Sequence, residues 1–166
     1  MTFFDFRDKL KKELDDRFII NNPNNNSKKN TFFWIKVKNS CIGTEICHYE
    51  FVAVDVNGVE LSEESISDQE DFFINLEIHF EFKQKDNKEL VLKLLKMKKF
   101  LGKKIDYRYN LKEKNQVGII FKTFNSDIND DILIENSKIY LSKMKKKFRK
   151  HFPRFVYKLC KKNLKK

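Results

Sequence analysis

The stretch Phe72-Phe-Ile-Asn-Leu-Glu-Ile-His-Phe-Glu-Phe-Lys83 decides the fold class. Side chains alternate along a strand, so Leu76, Ile78, Phe80 and Phe82 share one face while Glu77, His79, Glu81 and Lys83 share the other. One apolar and one polar face mark an antiparallel strand with one side on a core. Upstream, Phe33, Ile35 and Val37 alternate with Phe32, Trp34, Lys36 and Lys38 across Thr31 to Lys38. The β pattern continues from Glu45 to Val56 and meets Asn57-Gly58, the dipeptide that best tolerates the positive φ angles of a tight turn. Downstream, Ile105, Tyr107, Tyr109 and Leu111 alternate with Lys104, Asp106, Arg108 and Asn110, and a polar turn at Glu113 to Gln116 leads into a strand over Val117 to Phe124.

Helical spacing fills the gaps between these strands. Thr2 and Asp5 form a capping-box pattern, and Phe3, Phe6, Leu10, Leu14 and Phe18 recur at helical intervals, predicting a helix over Phe3 to Ile19. Asp86 or Asn87 can cap a second helix over Lys88 to Leu101, closed by Gly102. Ile132, Leu133, Tyr140, Met144 and Phe148 outline a long last helix, interrupted or restarted at Pro153 and continued by Phe155, Val156, Leu159 and Cys160. The order is α-βββ-α-ββ-α, without strict strand and helix alternation. The expected fold is one α+β domain over residues 1–166 on a mostly antiparallel five-stranded sheet, with a flexible Asn-rich loop at 21–30 and a basic helical segment at 138–166.

Composition narrows the class. A chain of 166 residues suits one domain, and 17 Phe give it a core despite 36% charged residues. No apolar run approaches the roughly 20 residues of a membrane span, so no membrane partner is expected. Met1-Thr-Phe-Phe-Asp5 does not resemble a secretory leader, and Cys41, Cys47 and Cys160 do not form a disulfide framework; a reducing cytoplasm fits.

The formal charge of +11 is distributed in blocks. Residues 1–38 carry +4, residues 39–82 carry −11 with no Lys or Arg, residues 83–137 carry +5 and residues 138–166 carry +13 with no Asp or Glu. A basic segment of that kind can neutralise phosphates and release counterions. It can equally pair with the chain's own acidic block. Lys143, Lys145, Lys146, Lys147, Arg149, Lys150, Arg154 and Lys158 are its candidate phosphate contacts. Trp34 with Lys36 and Lys38 combines a ring that could stack on bases with ammonium groups, and Arg108 lies on a second basic strand face. The acidic block supports the contrary idea of a nucleic-acid mimic that inhibits a nuclease or defence complex through Glu60, Glu63, Glu64, Asp68, Glu70 and Asp71.

Two constellations raise metal chemistry. Glu81-x-Lys83, with Asp55 or Asp71 as the upstream carboxylate, resembles the residue set of PD-(D/E)xK nucleases, in which carboxylates hold a divalent cation such as Mg²⁺ and the Lys helps position or activate the attacking water. The plainer account is the polar face of an ordinary strand. Cys41, Cys47, His48 and His79 could gather around zinc if their strands pair, but the spacing of closed zinc sites is absent. No metal or cofactor is expected outside the nuclease alternative. The four glycines are isolated, so no phosphate loop exists.

His48-Tyr-Glu-Phe51, the strand Leu76 to Lys83, the helix from Leu90 to Gly102 and Met144-Lys-Lys-Lys-Phe-Arg-Lys-His-Phe-Pro-Arg154 together resemble an uncharacterised α+β module of prokaryotic restriction- and defence-associated proteins. The resemblance spans residues 48–154, roughly two thirds of the chain. Lys103-Lys-Ile-Asp-Tyr107 stands where that module carries acidic and tryptophan residues. It implies association with defence and nucleic acid, and it transfers no catalytic residue. The leading expectation is a non-catalytic nucleic-acid-binding or accessory module of a defence or anti-defence system, with DNA or RNA, or a defence-complex protein, as partner.

Overall fold

Thr2 starts the first helix as its spacing predicts: its hydroxyl accepts the Asp5 N–H at 3.1 Å and the Asp5 carboxylate accepts the Thr2 N–H at 3.1 Å. This helix, α1 (Phe3–Glu13), buries Phe3, Phe6 and Leu10. It ends well before the expected Ile19. Leu14 is extended, and the Asp15 carboxylate takes the backbone N–H of Arg17 at 2.9 Å, an alternative to helical bonding that short acidic side chains offer. Phe18, which continues the helical spacing by coincidence, instead begins a strand, β1 (Phe18–Asn21).

The computed structural model describes residues 1–21, 31–38, 44, 46–62, 66, 72–96, 106–110, 116–151 and 154–164. The expected Asn-rich loop lies outside them apart from Asn21. The remaining elements are β2 (Phe32–Val37), β3 (Cys47–Val54), β4 (Phe73–Phe80), α2 (Gln84–Lys96), β5 (Asp106–Asn110), β6 (Gln116–Asn125), α3 (Asp130–His151) and α4 (Arg154–Leu164). The fold is α+β, and every strand pairing is antiparallel in the order β1-β2-β3-β4-β6-β5. β1 adds a strand to the five expected. The Asn57-Gly58 turn forms with Gly58 at φ 77°, and two helices, α3 ending at His151 and α4 starting at Arg154, stand where a last helix interrupted or restarted at Pro153 was expected.

One face of the sheet is built of phenylalanine. Phe51 of β3 stacks on Phe33 of β2 at 5.3 Å and meets Phe6 of α1 edge-on at 5.4 Å, while Phe3 contacts Phe33 at 5.5 Å. Leu133, Ile134, Leu141 and Met144 lay α3 on the same core, and Val156, Leu159 and Cys160 do so for α4. Ile132, which the spacing places on that stripe, is exposed. Cys47 hydrogen-bonds Cys160 within this core, which lowers the Cys160 thiol pKa against the opposing effect of burial. Ion pairs from Lys9 to Asp130 at 2.7 Å and from Lys138 to Glu13 at 3.1 Å fasten α1 along α3.

The second face differs from expectation. β3 is buried along its full length, and the polar side of β4 is not solvated: Glu77 is 0% and His79 5% exposed. β6 reaches this face through a bulge. Leu76 pairs with Lys122 and Glu77 with Ile120, so Phe121 has no place in the register and the alternation of β6 reverses there. The bulge sets Gly118 directly opposite His79.

Candidate functional site

The outward side of α3 and α4 carries the positive charge. Their apolar stripe is used in the core, which leaves Lys143, Lys146, Arg154, Lys158 and Lys161 exposed and Lys145 half-buried. Lys145 sits over the Phe18 ring at 5.0 Å. Among the described residues, none of those five exposed cations has a carboxylate within ion-pair distance; Lys138 pairs with Glu13 and Glu135, and Lys162 with Asp86. Lys147, Arg149 and Lys150 lie on α3, their side chains outside what is described. Beside this face, Lys122 and Lys143 place their ammonium groups 5.3 and 4.7 Å from the Tyr140 ring centroid. Tyr140, Lys122, Asn125 and Asn136 line an open groove of about 220 Å³ between β6 and α3.

The other expected contacts are dispersed. Trp34 is 7% exposed and its ring packs on His48 at 4.7 Å, so it is engaged internally rather than presented to bases. The Lys36 ammonium lies 5.0 Å from that ring's centroid, and Lys38 is exposed at the end of β2. Arg108 stands on β5 at the position opposite Gly118.

Of the nuclease set, Asp55 is not brought to Glu81 and Lys83. Asp55 follows the last residue of β3 and accepts the N–H groups of Asn57 and Val59 at 2.8 Å, a turn-forming role. Glu81 follows β4 at the opposite end of β3, where its N–H donates to Ile46 O. The eight residues of β3 separate them by roughly 25 Å at about 3.3 Å per residue, too far to share one cation. Glu81 and Lys83 also lie beyond the strand, since β4 ends at Phe80 and Lys83 O caps α2 by accepting from Asp86 and Asn87. Asp71, with Glu63, Glu64, Asp68 and Glu70 of the acidic surface, lies outside the described residues. Glu60 accepts from Thr31 at 3.1 Å, and Glu50 and Glu77, two more of the eleven carboxylates of residues 39–82, are interior.

Those interior carboxylates belong to a cluster. Antiparallel pairing sets His48 across from His79 and Glu50 across from Glu77. One oxygen of Glu50, Oε2, lies 3.1 Å from His48 Nε2 and 3.3 Å from His79 Nδ1. The outer nitrogens also face acceptors: His48 Nδ1 is 3.2 Å from Thr44 O, and His79 Nε2 is 4.0 Å from Glu77 Oε2. His48, Glu50 and His79 each offer a ligand atom within 4.8 Å of the others, near enough to hold one metal ion. Cys47 is not among them. It is adjacent to His48, so strand alternation sends it to the opposite face, and Cys41 lies outside the described residues.

Gly118 gives this cluster room. A Cβ there would collide with Glu77 Oε2 and press on His79 Cδ2 at 3.2 Å. Gly118→Ala is therefore expected to lower stability by about 1–2 kcal/mol, measured by urea unfolding, because a buried carboxylate has little space to withdraw into.

Glu50, Glu77 and Gly118 have no part in the chemistry that the sequence suggested. Their signal was the mirror pair His48-x-Glu50 and Glu77-x-His79, which antiparallel pairing superimposes. No helix among the described residues is long and apolar enough to cross a membrane. No protein-family model matches the chain, no curated protein matches it, and no solved structure matches it.

Proposed function

We propose that the protein is a non-catalytic module that contacts nucleic-acid phosphates through the outward face of α3 and α4, as an accessory to a prokaryotic defence or anti-defence system. One observation carries the phosphate reading. Residues 138–166 hold thirteen basic and no acidic residues, and their apolar stripe is committed to the core, so the cations at Lys143, Lys146, Arg154, Lys158 and Lys161 face solvent. Five ammonium and guanidinium groups along two consecutive helices suit a regularly spaced polyanion. The link to defence rests on the resemblance of residues 48–154 alone.

The test is fluorescence anisotropy of the full chain with labelled duplex DNA, single-stranded DNA and RNA across a salt series. Each phosphate neutralised contributes a slope of about −0.9 in log K against log salt on a duplex. Replacing the five named residues by Gln should flatten that slope by about 4 and weaken binding by orders of magnitude at low salt, with the circular dichroism spectrum unchanged. Absent binding, or binding indifferent to salt, overturns the reading. Capture of a protein in place of nucleic acid would favour the inhibitor alternative.

A further inference from the structure

We infer that His48, Glu50 and His79 form a binding site for a single divalent transition-metal ion of the zinc or ferrous class, coordinated by His48 Nε2, Glu50 Oε2 and His79 Nδ1. The geometry comes first. Metal bonds of about 2.0–2.1 Å at tetrahedral angles place neighbouring ligand atoms roughly 3.3–3.4 Å apart. The two separations that meet at Glu50 Oε2, 3.1 and 3.3 Å, are already edges of such a polyhedron, and the third is no longer than 4.8 Å.

The outer contacts follow the same logic. A metal-bound histidine donates its other ring N–H to a carbonyl or carboxylate, which fixes tautomer and ring orientation. His48 does so through Nδ1, 3.2 Å from the Thr44 carbonyl, while His79 Nε2 lies 4.0 Å from the Glu77 carboxylate, beyond hydrogen-bond distance. Gly118 keeps clear the volume that carboxylate occupies, and the Trp34 ring covers one flank of His48.

The imidazole and carboxylate donors select Zn²⁺ or Fe²⁺ over Mg²⁺ and Ca²⁺. Because β3 and β4 are central strands, the ion would staple the middle of the sheet, independently of the phosphate-contacting face.

The experiment uses the untagged full chain, purified without chelator. Elemental analysis should find zinc or iron at close to one ion per chain. Stripping with dipicolinic acid should lower Tm by roughly 5–10 °C, with recovery on adding Zn²⁺ and none on adding Mg²⁺. Co²⁺ added to the stripped protein should give the visible bands of a low-symmetry site, and His79→Gln or Glu50→Gln should weaken them at least tenfold. A folded chain that carries no transition metal, shows no Co²⁺ bands and has the same Tm with and without Zn²⁺ overturns the site. The wild-type measurements decide this even where a variant fails to fold, and nucleic-acid binding is scored separately.

Discussion

Phe51→Ala is expected to cost the fold about 3–5 kcal/mol, the range for removing a fully buried aromatic ring. Phe51 is 0% exposed and lies where the sheet meets α1, against Phe33 of the neighbouring strand, Phe6 of α1, and Phe124 of β6 at 6.5 Å. The neighbouring rings cannot all collapse into the void, because each is held on its own strand or helix. For a chain of this size the loss corresponds to a fall in Tm of roughly 6–20 °C in a thermal melt. Val56→Ala, at an exposed turn residue, should change stability by no more than about 0.5 kcal/mol. A comparable effect at both positions would show that the aromatic layer is not the centre of the core.

Asn163→Leu should cost about 2–3 kcal/mol, through polar groups left without partners rather than lost packing. The Asn163 carbonyl accepts the Lys83 N–H at 3.2 Å, and its amide donates to the Asp86 carboxylate and to Leu159 O, both at 2.9 Å. One side chain thereby ties the end of α4 to the first turn of α2. Asp86 is buried there and also accepts from Lys162 at 2.6 Å. Lys162, then Asn163, hold the Asp86 carboxyl below its ordinary value of 3.8, against burial, which pushes it up. In the unfolded chain the carboxyl therefore takes up its proton at higher pH than in the folded one. The stability this contributes is complete above about pH 4 and is lost as pH falls through the lowered value. Urea unfolding of wild type and Lys162→Ala should differ most at neutral pH, and the difference should shrink below about pH 4. A difference that is constant with pH would remove Asp86 from this role.

Much of the fold was legible because local chemistry and global packing agree. Thr2 and Asp5 cap the helix they announce, Gly58 takes the positive φ that its turn needs, and the alternation of Leu76, Ile78 and Phe80 does face the core. β1 was hidden because Phe18 falls on the helical stripe of Leu10 and Leu14, while the signal that ends the helix, the Asp15 carboxylate on the Arg17 N–H, looks like ordinary surface charge. The basic face was visible as a count but not as a surface, since only the packed stripe shows which lysines are left outside. Alternation separates two faces of β4 but does not say whether the polar one meets water. Glu77 and His79 therefore read as solvated surface, and the cluster around Glu50 emerged only with the register between β3 and β4.

The bulge at Phe121 makes β6 two short rulers laid end to end with a half-step between them. Beyond it Thr123 meets Asn75 among the polar groups, and before it Gly118 takes that side while Ile119 lies with Ile78. The strand is thus more sensitive to counting than to spelling. Deleting Phe121 would only restore plain alternation, with Ile119 still opposite Ile78, but inserting one residue beside the bulge would turn Ile119 toward the carboxylates and Gly118 toward the oily layer. Insertions in this ten-residue strand are far more damaging than most exchanges of one side chain for another.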